Sequence, residues 1–286
     1  MKAVILDGIV LGLGFGLLGV GMTLVYGLGD VLNLAYGEIV VLAAIIVAEL
    51  MAAGVGTVLS AVIGVLCAVG TGILLDLTVL QAVYRQRGGH KVLLGLLLTL
   101  GLAFVIEGVL TWRDPLGALS IDIAGKPIQI LGVPMAAGSV WASVITLAVA
   151  AALLVFFGAT VFGRAVRSVI QDEIGARLVG INPALVRNVI FAVSGGLAGL
   201  VAVTQSMTGP VSVTAGFNLT VFALIVTVVG GLGSVAGAFL AGVLLGIVDS
   251  VSAFYIGHYI TSIILLGIAV LTILVRPRGL LGALSR

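Results

Sequence analysis

The chain has 286 residues, of which 61% are hydrophobic and 8% charged, with a mean hydropathy of +1.38. A soluble domain carries roughly a quarter charged residues, so a water-exposed globular fold is excluded. A formal net charge of +2 excludes a nucleic-acid partner, and the one cysteine, Cys67, excludes an internal disulfide. The apolar runs reach the ~18–20 residues that cross a bilayer as a helix. They do not alternate as barrel strands do, so an all-α integral membrane protein is predicted.

A first span is predicted over about Ala3–Gly27. Its flank offers only Lys2, so it reads as a retained span and not as a cleavable signal. An interrupted polar segment follows, Tyr26 to Glu38, with Asn33, Tyr36, Gly37 and Glu38 inside it. Further spans are expected to about Ala53, over Val55–Val83 and over Val92–Leu110, with a short basic loop of Arg85, Arg87, His90 and Lys91 before the last. The hydrophilic stretch 112–138 holds Pro115, Pro127 and Pro134 and reads as an outer-face loop with a small hairpin around Gly125-Lys126.

A span over Val140–Phe162 leads into a charged segment, about 164–188, with Arg164, Arg167, Arg177 and Arg187 beside Asp172 and Glu173. Such a segment in an otherwise apolar chain offers itself to a soluble partner. A short helix through Glu173–Val179, ended by Gly180, would set Glu173 and Arg177 on one face. Spans over Val189–Met207, Leu219–Val229, Val235–Ala253 and Tyr259–Val275 follow, broken at Gly209-Pro210 and at Gly230–Ser234. The count is about eight spans with one re-entrant pair. The basic segments mark the cytoplasmic face, which puts the N-terminus outside. Small-xxx-small spacing at Gly8/Gly12/Gly16, Gly195/Gly199, Gly233/Gly237 and Gly242/Gly246 reads as helix packing.

No P-loop occurs, and Gly14–Gly19 and Gly231–Ala236 mimic a dinucleotide fingerprint inside runs with no room for a βαβ unit. No metal or Ser/His/Asp arrangement is evident. Neither an enzyme nor a cofactor is expected. Glu38, Glu49, Asp76, Glu107 and Asp249 are intramembrane carboxylates. Glu49, Asp76 and Glu107 are read as span-end residues reaching the interface. Glu38 lies in a helix interruption, which at membrane depth is tolerated only beside protein or a watery cavity. With Gly230, Gly231, Gly233 and Ser234 it forms a pair of interruptions that points to a translocation pathway, while those glycines read equally well as tight turns at the membrane surface.

Four motifs in order, Asn33-Leu-Ala-Tyr36-Gly37-Glu38, Gln171-Asp172-Glu173 with Gly180-Ile181-Asn182, Gly230-Gly-Leu-Gly-Ser234 and Val275-Arg-Pro-Arg-Gly279, resemble the LivH-type permease subunits of high-affinity branched-chain amino acid ABC transporters. The resemblance runs from about Gly21 to Gly282. It implies one permease domain over 1–286, an ABC importer permease of the prokaryotic inner membrane with broken helices in both halves. Its partners would be ATP-binding subunits, a second permease and an extracytoplasmic solute-binding protein. It implies further that Asp172, Glu173, Arg177, Gly180, Ile181 and Asn182 form the loop that docks on the ATPase. Tyr36 stands where the family commonly has His, and Ile174-Gly175 replaces a small, Ala-rich pair. Urea or short amides are the alternative solutes. An ion-coupled transporter using Glu38 or Asp249, or a membrane scaffold, are the alternative classes.

Overall fold

The computed structural model describes residues 1–29, 31–84, 89–122, 127–130, 132–276 and 279. The predicted turn at Gly125-Lys126, Arg85 and Arg87 of the basic loop, and Pro277-Arg278 of the final motif lie outside them. The chain is helical nearly throughout: α1 (Lys2–Gly29), α2 (Tyr36–Ala52), α3 (Thr57–Leu75) continued by a π-helical turn (Asp76–Leu80) and α4 (Gln81–Tyr84), α5 (Gly89–Arg113), α6 (Ala137–Ala159), α7 (Val161–Gln171), α8 (Glu173–Leu178), α9 (Pro183–Ser206), α10 (Gly216–Gly230), α11 (Val235–Ile256) and α12 (His258–Val275). Seven helical stretches among the described residues are long and apolar enough to cross a membrane, and Tyr259–Val275 is a shorter apolar helix. This is a multi-pass helical membrane protein.

α1 is the centre of the bundle. Every residue from Gly12 to Val25 is buried, as suits a helix that is apolar all round. Its Gly8, Gly12 and Gly16 lie directly on the backbone of α11, against Gly242, Val243 and Gly246. α3 meets α9 in the same way, with Gly72 on Phe191 and Gly195 on Ala68. Lipid gives no hydrophobic drive between helices, so close backbone approach through small residues supplies the packing. Hydroxyls add to it: Ser194 Oγ donates to the Gly21 carbonyl (3.0 Å) and Thr227 Oγ1 to that of Gly19 (3.1 Å). Gly233/Gly237 takes no part in such a crossing, because Gly237 sits on Gly230 of the preceding helix.

Among the described residues, Lys91, Arg167 and Arg187 gather at one end of the bundle. Gly29 abuts Tyr84, Gly27 abuts Gly233, Gly279 abuts Gly231, and Arg187 lies over Tyr84. The opposite end carries the Arg113–Glu49 ion pair (2.9 Å) and the contact of Tyr255 with Met1. The positive-inside rule assigns the basic end to the cytoplasm.

Two expectations are corrected, the start of α9 and the place of Asp76, and the small hairpin expected in the hydrophilic stretch is present with a turn at Gly132. The hairpin pairs β2 (Ile128–Ile130) with β3 (Val133–Met135) in the register Ile128↔Met135, turning at Gly132 with φ +81°, where glycine escapes the Cβ clash. A second short ladder joins β1 (Ala118–Leu119) to β4 (Val211–Ser212), which follows α9. α9 begins at Pro183, well before the expected Val189. Asn182 caps it, its Oδ1 accepting from Ala184 N–H at 3.0 Å, and proline is at ease in the first turn. Asp76 is not a span-end group. It is 2% exposed and ion-paired to Arg187 inside the bundle.

Candidate functional site

Between α1 and α2 the backbone leaves helical geometry and its donors need partners, since none can come from lipid. Asn33 supplies one, its Oδ1 accepting from Ala35 N–H (3.1 Å), while its carbonyl accepts from Tyr36 N–H (3.2 Å). Thr99 Oγ1 on α5 accepts from Leu34 N–H (3.1 Å) and donates to the Gly95 carbonyl (2.8 Å). Thr220 Oγ1 on α10 accepts from Gly37 N–H (2.9 Å) and donates to the Gly216 carbonyl (3.1 Å). Thr99 and Thr220 were not singled out in the sequence, where each is a lone hydroxyl in an apolar run.

Two helix beginnings therefore meet inside the bundle. The first turn of α2, Tyr36-Gly37-Glu38, lies against the first turn of α10, Gly216 to Thr220, and a Cβ on Gly37 would overlap the Gly216 carbonyl. Phe15 of α1 stacks on Phe222, further along α10, at 4.7 Å. Tyr36 is fully buried and its hydroxyl donates to the Ser194 carbonyl (3.3 Å). Glu38 is 1% exposed, its carboxyl rests on Gly216, and its Oε2 has no hydrogen-bond partner among the described residues.

Gly230–Ser234 is elsewhere. Gly231 (φ +107°) and Gly233 (φ +88°) make a tight turn at the basic end. Gly231 N–H donates to the Thr227 carbonyl (3.0 Å), which finishes α10, and Ser234 Oγ caps α11 by accepting from Gly237 N–H (3.1 Å). Gly233 and Ser234 line a cavity of about 260 Å³ with Thr23, Phe157, Arg167 and Ile170. The structure thus pairs the Asn33–Glu38 interruption with the start of α10 and not with the glycine turn at its end.

The charged segment forms two short helices. Asp172 caps α8, its Oδ1 accepting from Ile174 N–H (3.0 Å), and Arg177 pairs with Glu173 at 2.5 Å. Gly180, at φ +85°, closes the helix in a Schellman arrangement: its N–H donates to the Arg177 carbonyl (3.1 Å) and Ile181 N–H to that of Ala176 (3.0 Å). Ile174, Leu178 and Val179 are at least 74% exposed, an apolar surface on an otherwise polar segment. Behind it, Arg187 Nε donates to Asp76 Oδ1 (3.2 Å) with its guanidinium 4.0 Å from the Tyr84 ring centroid. The amide of Asn188, oriented by its hydrogen bonds, donates to the other Asp76 oxygen.

Residues 4–274 match the family described as branched-chain amino acid transport system / permease component. The chain belongs to this family. The permease is 27% identical to the high-affinity branched-chain amino acid transport system permease protein BraD of Pseudomonas aeruginosa, over 97% of its own length and 94% of that protein. It is 25% identical to the permease protein LivH of Escherichia coli K12, over 96% and 94%. A shorter match, 32% identical over 42% of this chain and 28% of the relative, is to the permease protein LivM of the same strain. A chain of PsaBC from Streptococcus pneumoniae, solved in complex with Fab, aligns with 95% of the permease and 91% of that chain at a TM-score of 0.50 and 15% identity. At that identity the likeness shows the fold alone. The permease is a transport component, and its family is one of non-catalytic membrane subunits.

Proposed function

We propose that the permease is the membrane subunit of an ATP-driven importer of branched-chain or related amino acids in a prokaryotic plasma membrane. The observation that carries this is the family match across nearly the whole chain. ATP-binding subunits dock at α8, where the Ile174, Leu178 and Val179 side chains stand free of the bundle. A second permease completes the pathway, and the resemblance to LivM supports a related partner. A separate binding protein delivers the solute to the outer end. Within the permease the path follows the meeting of α2 and α10, with Asn33 and Glu38 held there by buried hydrogen bonds and close packing. Tyr36, the departure from the family's histidine, is committed to Ser194, which weakens its bearing on solute choice.

Uptake into proteoliposomes tests the reading. The permease with its ATP-binding subunits, second permease and binding protein is expected to accumulate leucine when ATP is supplied and ion gradients are abolished. Accumulation by the permease alone on a proton or sodium gradient would establish an ion-coupled transporter instead, and uptake of urea in place of leucine would move the solute class. The docking assignment has its own check. A side chain at Gly180 must adopt a φ that β-branched residues avoid, so Gly180→Val is expected to distort the end of α8 and release the ATP-binding subunits on co-purification while leaving the permease inserted. Full retention with normal uptake removes α8 from the interface.

A further inference from the structure

The cavity at the cytoplasmic end combines apolar walls with unused polar groups. It lies between α1, α6, α7 and the start of α11, with Leu24, Leu154, Phe157, Val166 and Ile170 as its apolar lining. Gly27 of α1 abuts both Gly233 and Ile170, so α1, α7 and α11 converge there. Thr23, one turn before Gly27, lines the cavity too. It is fully buried, and its Oγ1 has no hydrogen-bond partner among the described residues. Thr71, Thr78, Thr204 and Thr272 each bond back to the carbonyl four residues earlier, an option that Thr23 does not take. Gly233 to Ala236 bring the first turn of α11, a helix of 22 residues, to the same cavity. Ser234 Oγ serves the Gly237 N–H, and the N–H groups of Val235 and Ala236 have no acceptor among the described residues. Arg167 gives one N–H to the Phe157 carbonyl (2.5 Å) and enters no ion pair among the described residues. Its guanidinium has further donors to give. Free backbone donors at a helix start, a spare guanidinium edge and a lone hydroxyl together suit an anion, and no acidic side chain lines the cavity against one. An apolar cavity of ~150 Å³ takes a benzene. The 260 Å³ here admits a molecule of leucine's size and is too small for the two chains of a phospholipid.

We propose that this cavity is a second solute site, on the cytoplasmic face, which takes the carboxylate and aliphatic chain of the released amino acid and slows further transport. The inference rests on the importer reading above and adds a regulation to it. The carboxylate is met by the α11 N–H groups, Arg167 and Thr23, and the branched chain by Phe157, Val166 and Ile170. α7 forms one wall, and only Asp172 separates it from α8, where the ATP-binding subunits are placed. An occupant holds α7 to α1 and α11, so α8 is less free to follow those subunits as they close.

The test puts leucine on the cytoplasmic face alone. The assembled transporter is reconstituted in proteoliposomes with its ATP-binding subunits outward and leucine-loaded binding protein inside, and ATP hydrolysis is followed as leucine is added outside. A saturable fall is expected. Isocaproate, which keeps carboxylate and chain, should act as leucine does. Leucinamide, which lacks the carboxylate, and glycine, which lacks the chain, should not. With each rate taken relative to the same variant without external leucine, Arg167→Gln is expected to raise the half-maximal leucine concentration by about tenfold, as loss of one charge-assisted hydrogen bond implies. Thr23→Val should raise it by a few-fold, whereas a purely structural Thr23 predicts no change, since no protein group uses its hydroxyl. In a Cys67→Ser background, Ala236→Cys should react with a thiol reagent added outside, and more slowly when leucine is present. Hydrolysis indifferent to external leucine, equal action of leucinamide, or a thiol that leucine does not protect would each overturn the proposal. Protection by phosphatidylglycerol and not by leucine would overturn it in favour of a lipid site. If leucine and isocaproate protect the thiol while the unsubstituted transporter takes up no leucine, the error lies in the importer reading and not in the cavity.

Discussion

Asp76→Ala is expected to destabilise the folded permease by about 3–5 kcal/mol, the range for breaking a buried ion pair from one side. Asp76 is 2% exposed and accepts from Arg187 and Asn188. Its removal strands a guanidinium whose side chain is only 21% exposed and which the Tyr84 ring alone cannot satisfy. Replacing both partners, Asp76→Leu with Arg187→Met, is expected to restore most of the loss, because an apolar pair of similar volume avoids the desolvation penalty. Unfolding in mixed micelles, read on the two single variants and the double, gives the coupling energy directly. A single-variant effect under about 1 kcal/mol, the level of a solvated pair, would show that water reaches Asp76.

Gly242→Leu is expected to have an effect of similar size by a different route. A Cβ at Gly242 would overlap the Gly16 backbone, and one at Gly246 that of Gly12. An added methyl costs about 1–3 kcal/mol in a close-packed core. A leucine forces α1 and α11 apart along the crossing, so recovery of monodisperse permease should fall to a small fraction. Gly70→Ala is the matched control. That glycine has nothing within 4 Å, and the substitution should leave stability unchanged or raised. Equal tolerance at Gly242 and Gly70 would mean that the α1–α11 crossing contributes little.

The membrane class and most spans were legible because a span is a local property: length and apolarity suffice to mark it. The interruption at Asn33–Glu38 was legible for the same reason, since a cluster of polar residues stands out against an apolar run. Its counterpart at Gly216 was not, because Thr214, Ala215 and Gly216 carry no charge or amide to mark a helix start and the span was expected only from Leu219, whereas Gly230–Ser234 is conspicuous in composition and forms a capped turn. The start of α9 was obscured by Arg187, whose charge reads as loop until Asp76 is seen opposite. That pairing joins residues 111 positions apart, and no periodicity or spacing within either helix announces it. The end of α8 was legible because Gly180 acts through its own backbone.

The contact between α1 and α11 also bears on biosynthesis. More than two hundred residues separate Gly16 from Gly242. At ~5–20 residues per second a ribosome takes roughly 10–45 s to deliver the second after the first. During that interval the opening span is already inserted with its glycine stripe bare, beside newly made helices that carry similar stripes. The bundle is therefore assembled around an early-made helix by a late-made one, and this central contact forms only after most of the other helices have been delivered.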